Sequence, residues 1–271
     1  MSAPTRALPP PRIVPTPTAL SRPWRMVERN VYAYRRTWYV FLSGFLEPVL
    51  FLLSIGVGVG ALVGSIKVGG ETVSYKEFVA PGLLASAAMI GALLDTTFNF
   101  FIKYKYSHTY DAIVATPLDP VDIATGEIAW ALMRGAIYST AFLVTMLLFG
   151  LVPSWWALLA VPAAVLIGFA FASIGLACTT YMRSWVDFDY VNLALVPLFL
   201  FSATFFPISQ YPAGLQVVIR LTPLYQGVVL VRGCVLGQMG WIMVVHVLYL
   251  AVAGLIGLRF ANRRIVRLLR P

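Results

Sequence analysis

The chain has 271 residues, 59% hydrophobic and only 11% charged, with a formal net charge of +9. So much apolar surface cannot be hidden in a soluble core, so lipid must be the solvent, and one polytopic bundle fits this length better than two soluble domains. The basic residues sit beside apolar runs, which argues against nucleic acid and for contact with membrane lipids.

Residues 1–19 are rich in proline and small polar residues and read as a disordered leader. No short apolar core precedes residue 38, so this is not a cleavable signal peptide. Across 20–38, Leu20, Trp24, Val27, Val31, Tyr34 and Trp38 recur at helical spacing, with Arg22, Arg25, Arg29 and Arg36 on other faces. Ser21 suits the cap and Pro23 the first turn. The segment reads as an amphipathic helix lying in the membrane interface.

A transmembrane domain follows over 39–262, with a basic cytoplasmic tail at 263–271. Its apolar runs are Phe41–Val63, Phe78–Phe101, Ile128–Leu151, Trp155–Tyr181, Tyr190–Phe206 and Trp241–Phe260. Each is near or above the ~20 residues a helix needs to cross a bilayer. The expected fold is therefore all-α: a polytopic membrane protein with six transmembrane helices. With both ends cytoplasmic, the basic residues of both termini, Lys103, Lys105 and Arg183 fall inside, and Lys67, Lys76, Arg220 and Arg232 fall outside.

Along the first run, Gly56, Gly60 and Gly64 form a small-residue stripe suited to helix or dimer packing. Ala164, Gly168 and Ala172 repeat it more weakly in the fourth. In the loop 102–126, Ser107 is placed to cap a short helix that runs through Ala115 and ends at Thr116-Pro117. Asp119 caps a new helix, with Pro120 first and Asp122 in its first turn, leading into the third span. A short helix joined by a proline-bounded turn to a rod in the membrane is a mechanical unit, or simply a well-capped connection. The region 207–238 is too apolar for a free loop and too broken for a span. It reads as short re-entrant helices in the outer leaflet, shielded by protein or lining a wet cavity.

Four charges lie within or near spans: Glu47, Asp95, Glu127 and Arg134. Glu127 and Arg134 are seven apart and share a helix face. Such charges are expensive and should be paired or wet. Arg134 with Asp95 or Glu47 would make an ion pair that latches one conformation; a proton relay and a static structural pair are the alternatives. Phe199, Phe201, Phe205 and Phe206 collect in the fifth span, either lining a substrate path or facing lipid. Trp155, Trp156, Tyr181 and Trp185 read as interface anchors. His246 and His108 are far apart, so no metal site with two histidines is expected. Cys178 and Cys234 form no disulfide framework. No nucleophile elbow, paired CxxC, HExxH or phosphate-binding GxxxxGK[ST] occurs. The chain therefore cannot hydrolyse ATP by that route alone.

The order of parts resembles the type-2 ABC exporter permease family. Two segments carry the resemblance: Tyr110-Asp111-Ala112-Ile113-Val114-Ala115-Thr116-Pro117-Leu118, with Asp122-Ile123 and Gly126-Glu127, and Ser202-Ala203-Thr204-Phe205-Phe206-Pro207, with Thr222-Pro223-Leu224 and Arg232-Gly233. Both look like the nodulation-factor and daunorubicin exporter branch. The resemblance implies a plasma-membrane, multi-pass subunit that pairs with a second permease, identical or not, and docks separate ATP-binding subunits that hold ATP and magnesium. It implies a coupling helix over Ser107, His108, Tyr110, Asp111, Ala112, Ile113, Val114, Thr116 and Pro117. It also implies a substrate path near the first, second and fifth spans for an amphipathic drug, polyketide, glycolipid or lipid-linked saccharide. The rival readings are a proton-coupled secondary transporter, an intramembrane enzyme, and a non-transporting anchor for a soluble partner.

Overall fold

A computed structural model describes residues 22–35, 39–68 and 71–269. The proline-rich leader, Leu20, Ser21, Arg36 and Trp38 lie outside the described residues. Helix α1 (Arg22–Tyr34) packs along the start of α6 (Pro120–Leu148). It buries Met26, Val27 and Asn30, and Met26 sits directly over Gly126, where any side chain would collide with it. The apolar residues expected on one face therefore divide. Val27 turns to protein, while Trp24 (64% exposed) and Val31 (44%) point away from it, the direction an interfacial helix presents to lipid.

The first span runs through α2 (Tyr39–Leu53), a π-helical turn (Ser54–Val59) and α3 (Gly60–Val63). Pro48 inside α2 removes one ladder donor. Gly64, at φ +68°, then turns the chain into a hairpin of β1 (Ser65–Val68) and β2 (Glu71–Ser74), in antiparallel register Ile66↔Val73. The sequence reading held no strand. Ser74 and Glu77 form a reciprocal capping box that starts α4 (Tyr75–Leu94). Through π-helical turns at Asp95–Asn99 and Ile102–Tyr106 this helix continues as one rod, Tyr75–Tyr106. It is the central element, with both faces buried along most of α4.

After α5 (Thr109–Val114), α6 returns antiparallel to that rod. A short 3-10 turn (Trp155–Leu159) leads into α7 (Ala160–Thr179), followed by α8 (Asp187–Leu200), α9 (Ala213–Arg220), α10 (Pro223–Leu236) and α11 (Ile242–Leu269). The last helix reaches Leu269, so the basic segment from Arg263 forms its final turns. Small residues set the tightest crossing: a Cβ on Gly257 would lie 2.9 Å from main-chain atoms of Ser173 and Ile174, bringing α11 onto α7.

Among the described residues five helical stretches are long and apolar enough to cross a bilayer, and α9 with α10 forms a pair bent by 83°. The fifth expected run, Tyr190–Phe206, does not stay helical. Helix α8 has 14 residues, about 21 Å at 1.5 Å per residue, and stops at a bend over 201–206 where Ala203 takes φ +57°. Arg232 explains the break. Counted among the outer basic residues, within the region read as short re-entrant helices, it is buried inside α10. Its Nε donates to the Phe78 carbonyl (3.1 Å) and its Nη2 to those of Ala203 (2.9 Å) and Thr204 (3.4 Å). The guanidinium also lies 3.9 Å from the centre of the Phe78 ring.

Candidate functional site

At the end of the bundle away from the hairpin, the rod from α4 stops at Ser107. His108, at φ +46°, turns the chain into α5. The expected cap by Ser107 is not made: His108 is the flanking residue and contributes no side-chain cap, while Ser107 closes the preceding π turn. Helix α5 is also shorter than expected, ending at Val114. Thr116 closes it by donating from Oγ1 to the Ile113 carbonyl at 2.6 Å, and Pro117 prevents continuation.

The faces of α5 separate cleanly. Tyr110 and Ile113 are buried, with the Tyr110 ring 4.9 Å from that of Phe100, and Val114 is half-buried. His108, Asp111, Ala112, Thr116 and Pro117 are exposed, as is Ser107. His108 Nδ1 and Asp111 Oδ2 lie 2.9 Å apart on that surface.

Beneath α5 is a polar knot. Lys103, at the end of the rod, donates to both Glu127 oxygens at 2.7 and 2.9 Å. Asn30 of α1 joins it, accepting from Lys103 (3.3 Å) and donating to Glu127 (3.4 Å). The Tyr110 hydroxyl is buried and makes no hydrogen bond within 3.5 Å. Burial first, and the nearby Glu127 charge second, push its phenol well above the ordinary tyrosine range, so it stays neutral. Elements α1, α4, α5 and α6 thus meet at one ion pair. The exposed Arg22–Asp119 contact at 3.4 Å adds a second link between α1 and the start of α6.

Further along the same two helices, Arg134 Nη1 donates to Asp95 Oδ1 at 2.6 Å. Asn99 donates to the same carboxylate at 2.8 Å, and Arg134 reaches the Tyr138 hydroxyl at 3.1 Å. The four charges singled out in the sequence therefore do not form one cluster. Arg134 takes Asp95; Glu127 takes Lys103; Glu47 makes no ion pair or hydrogen bond among the described residues. Lys103 and Asn30 escaped the sequence reading. A signal was present: Asp95, Asn99 and Lys103 recur every fourth residue, facing Arg134 and Glu127 on an antiparallel neighbour.

Glu47, Asp95 and Arg134 line a cavity of about 640 Å³ between α2, α4 and α6, closed on one side by Phe199 of α8. This is within the ~300–1,000 Å³ of small-molecule sites. Apart from those charges, Asn99, Tyr138 and two serines, its walls are apolar. Of the four clustered phenylalanines only Phe199 lines it. Phe205 backs Phe199 edge-on at 5.2 Å, and Phe201 and Phe206 face outward. Gly56 and Gly60 lie elsewhere, against the aliphatic stem of Lys76, and Gly64 has open space around it. His246 bonds Gln226, and no cluster of metal-binding side chains occurs among the described residues.

A multi-pass helical bundle with an apolar, sparsely charged cavity between its spans and an exposed short helix braced against them belongs to the class of membrane transport subunits. Residues 23–236 match the family described as ABC-2 type transporter. The chain belongs to that family and is the membrane subunit of an ABC exporter, a multi-pass protein of the plasma membrane. Nodulation protein J of Rhizobium leguminosarum bv. viciae is 31% identical over 90% of this chain and 94% of its own length. The bv. trifolii protein of the same name is 33% identical over 90% and 93%. The inner membrane transport permease YadH of Escherichia coli (strain K12) is 23% identical over 72% and 75%.

Proposed function

We propose that this permease moves an amphipathic substrate, such as a drug, polyketide, glycolipid or lipid-linked saccharide, using ATP hydrolysed by a separate subunit docked on α5. Both termini and α5 then lie in the cytoplasm. ATP and magnesium are held by the partner, and this chain holds neither. The observation that carries the reading is the division of α5: Tyr110 and Ile113 anchor it, while His108, Asp111, Ala112, Thr116 and Pro117 form an exposed surface. The Lys103–Glu127 pair lies directly under that surface and joins the second and third spans. Force applied to α5 is thereby delivered to two spans at once. ATP shifts the equilibrium by binding one state of the assembly more tightly.

A second permease subunit, identical or related, fits the apolar face of α8. No residue of that helix is buried, and Tyr190, Leu193 and Val196 recur along it at helical spacing.

Affinity purification from a mild detergent extract tests the reading. An ATP-binding subunit should copurify with the chain and crosslink to Ala112→Cys. Ala112→Arg should abolish that association while leaving the chain in the membrane. Labelling of Ala112→Cys in intact cells by a membrane-impermeant maleimide would place α5 outside and end the proposal.

A further inference from the structure

The cavity carries an unbalanced charge. Asp95 is satisfied twice, by Arg134 at 2.6 Å and by Asn99 at 2.8 Å, and Arg134 is engaged by Asp95 and Tyr138. The next nearest cation, Lys103, is bound to Glu127 at 2.7 Å, and that pair is neutral. Glu47 is the remaining charge on the wall, and none of the ion pairs among the described residues includes it. The lining therefore sums to one negative charge in a largely apolar, lipid-embedded space. Glu47 is exposed at the edge of the cavity rather than enclosed by protein, and beside lipid such a carboxylate is costly unless a cation joins it. Aromatic faces from Phe51, Phe98, Tyr138, Phe142 and Phe199 line the same space, and such faces attract cations as well as apolar bodies. The room is real: Gly91 and Gly135 both border the cavity, and a Cβ on either would meet nothing within 4 Å.

We infer that the cavity binds an amphipathic monocation, with Glu47 as its counter-ion and the residue that sets charge selectivity. The inference rests on the exporter reading, because it takes this cavity to lie on the substrate path. Arg134 is not the anchor, since its charge is already met; an anionic headgroup would have to break the Asp95 pair first. A cation needs no rearrangement. It takes a place next to Glu47, and its ring system fills the space between α4 and α6.

Two xanthene dyes of opposite charge make the test. The full-length chain is placed in nanodiscs of zwitterionic lipid, without nucleotide or ATPase, and fluorescence anisotropy is read against empty discs. Rhodamine 6G, a cation, should bind saturably and be displaced by tetraphenylphosphonium. Fluorescein, an anion, should bind at least tenfold more weakly. Glu47→Gln should weaken rhodamine 6G at least tenfold and Glu47→Asp should restore it. Gly135→Phe, whose Cβ enters open space at the cavity wall, should block both. Equal or tighter binding of fluorescein, unchanged rhodamine 6G affinity in Glu47→Gln, or no saturable binding to the monodisperse wild-type chain overturns the assignment. If Glu47→Gln fails to fold, the dye comparison and Gly135→Phe decide. No partner or ATP enters this experiment, so a negative result removes the charge assignment alone, whereas failure of the exporter reading shows in the copurification.

Discussion

Two tyrosine substitutions separate packing from polarity at the polar knot. Tyr110→Phe removes a hydroxyl that is buried without a hydrogen bond, so it should leave thermal stability and ATPase association within about twofold of wild type. Tyr110→Ala should instead cost about 3–5 kcal/mol, the usual price of emptying an aromatic site, visible as a lower melting temperature in detergent. Arg134 gives a sharper contrast. Arg134→Gln strands Asp95, buried at 7% exposure, and should destabilise the chain by about 3–5 kcal/mol. The double variant Asp95→Asn/Arg134→Gln should recover most of that loss. Transport in vesicles by this stable double variant then reads the role of the pair. A latch predicts that transport is lost despite recovered stability; wild-type transport would mean that the pair is only structural.

At the scale of elements, five of the six expected spans were legible in the sequence, because their signal is hydropathy over twenty residues, which needs no partner to interpret; the fifth was not, because a distant arginine ends α8. The turn chemistry was legible for the same local reason: the Asp119 cap with Pro120 and Asp122 forms as the sequence suggests. What was not legible depends on contacts distant in the chain. Glu127 and Lys103 are 24 residues apart, and choosing between them and Arg134 requires the register of two antiparallel helices. The pairing of β1 with β2 was missed because two four-residue strands of mixed polarity give too short an alternation. Within the chain the close main-chain crossing falls not at the glycine stripe of the first span but at Gly257 on Ser173 and Ile174. Gly257→Leu should therefore lower the melting temperature through about 1–3 kcal/mol of overpacking. Gly91→Ala, on open space, should have little effect, and equal losses in the two variants would contradict the assigned crossing.

At the scale of the whole molecule, the two least exposed ion pairs among the described residues lie along one seam. The rod from α4 and helix α6 run antiparallel, bound near one end by Lys103–Glu127 and further in by Asp95–Arg134. Such a seam moves as a unit, which suits a subunit that must carry displacement from α5 to the cavity. The double variant Lys103→Met/Glu127→Gln, which unties the first pair without stranding the buried Glu127 carboxylate, should reduce transport several-fold while the ATP-binding partner still copurifies. Full transport in that variant would remove the seam from the mechanism. The unpaired face of α8 sets the scale above this one. Leu193, 70% exposed, should crosslink two chains when replaced by cysteine in oxidised membranes. A chain that stays monomeric under those conditions would place the partner subunit elsewhere.

Arg232 also decides how long α8 can be. One guanidinium answers two main-chain oxygens of the bend, Ala203 and Thr204, that a continued helix would have satisfied by itself, and ties them to the Phe78 carbonyl of α4. A lysine ammonium is a single point of charge and cannot fork to separated acceptors. In Arg232→Lys the bend would be left with thirsty carbonyls, and the cheapest remedy for the backbone is to wind onward past Leu200. The stubby helix would then grow toward a full crossing, pushing Phe199 and its backing ring Phe205 out of line and reshaping the wall of the chamber from a position that never touches it.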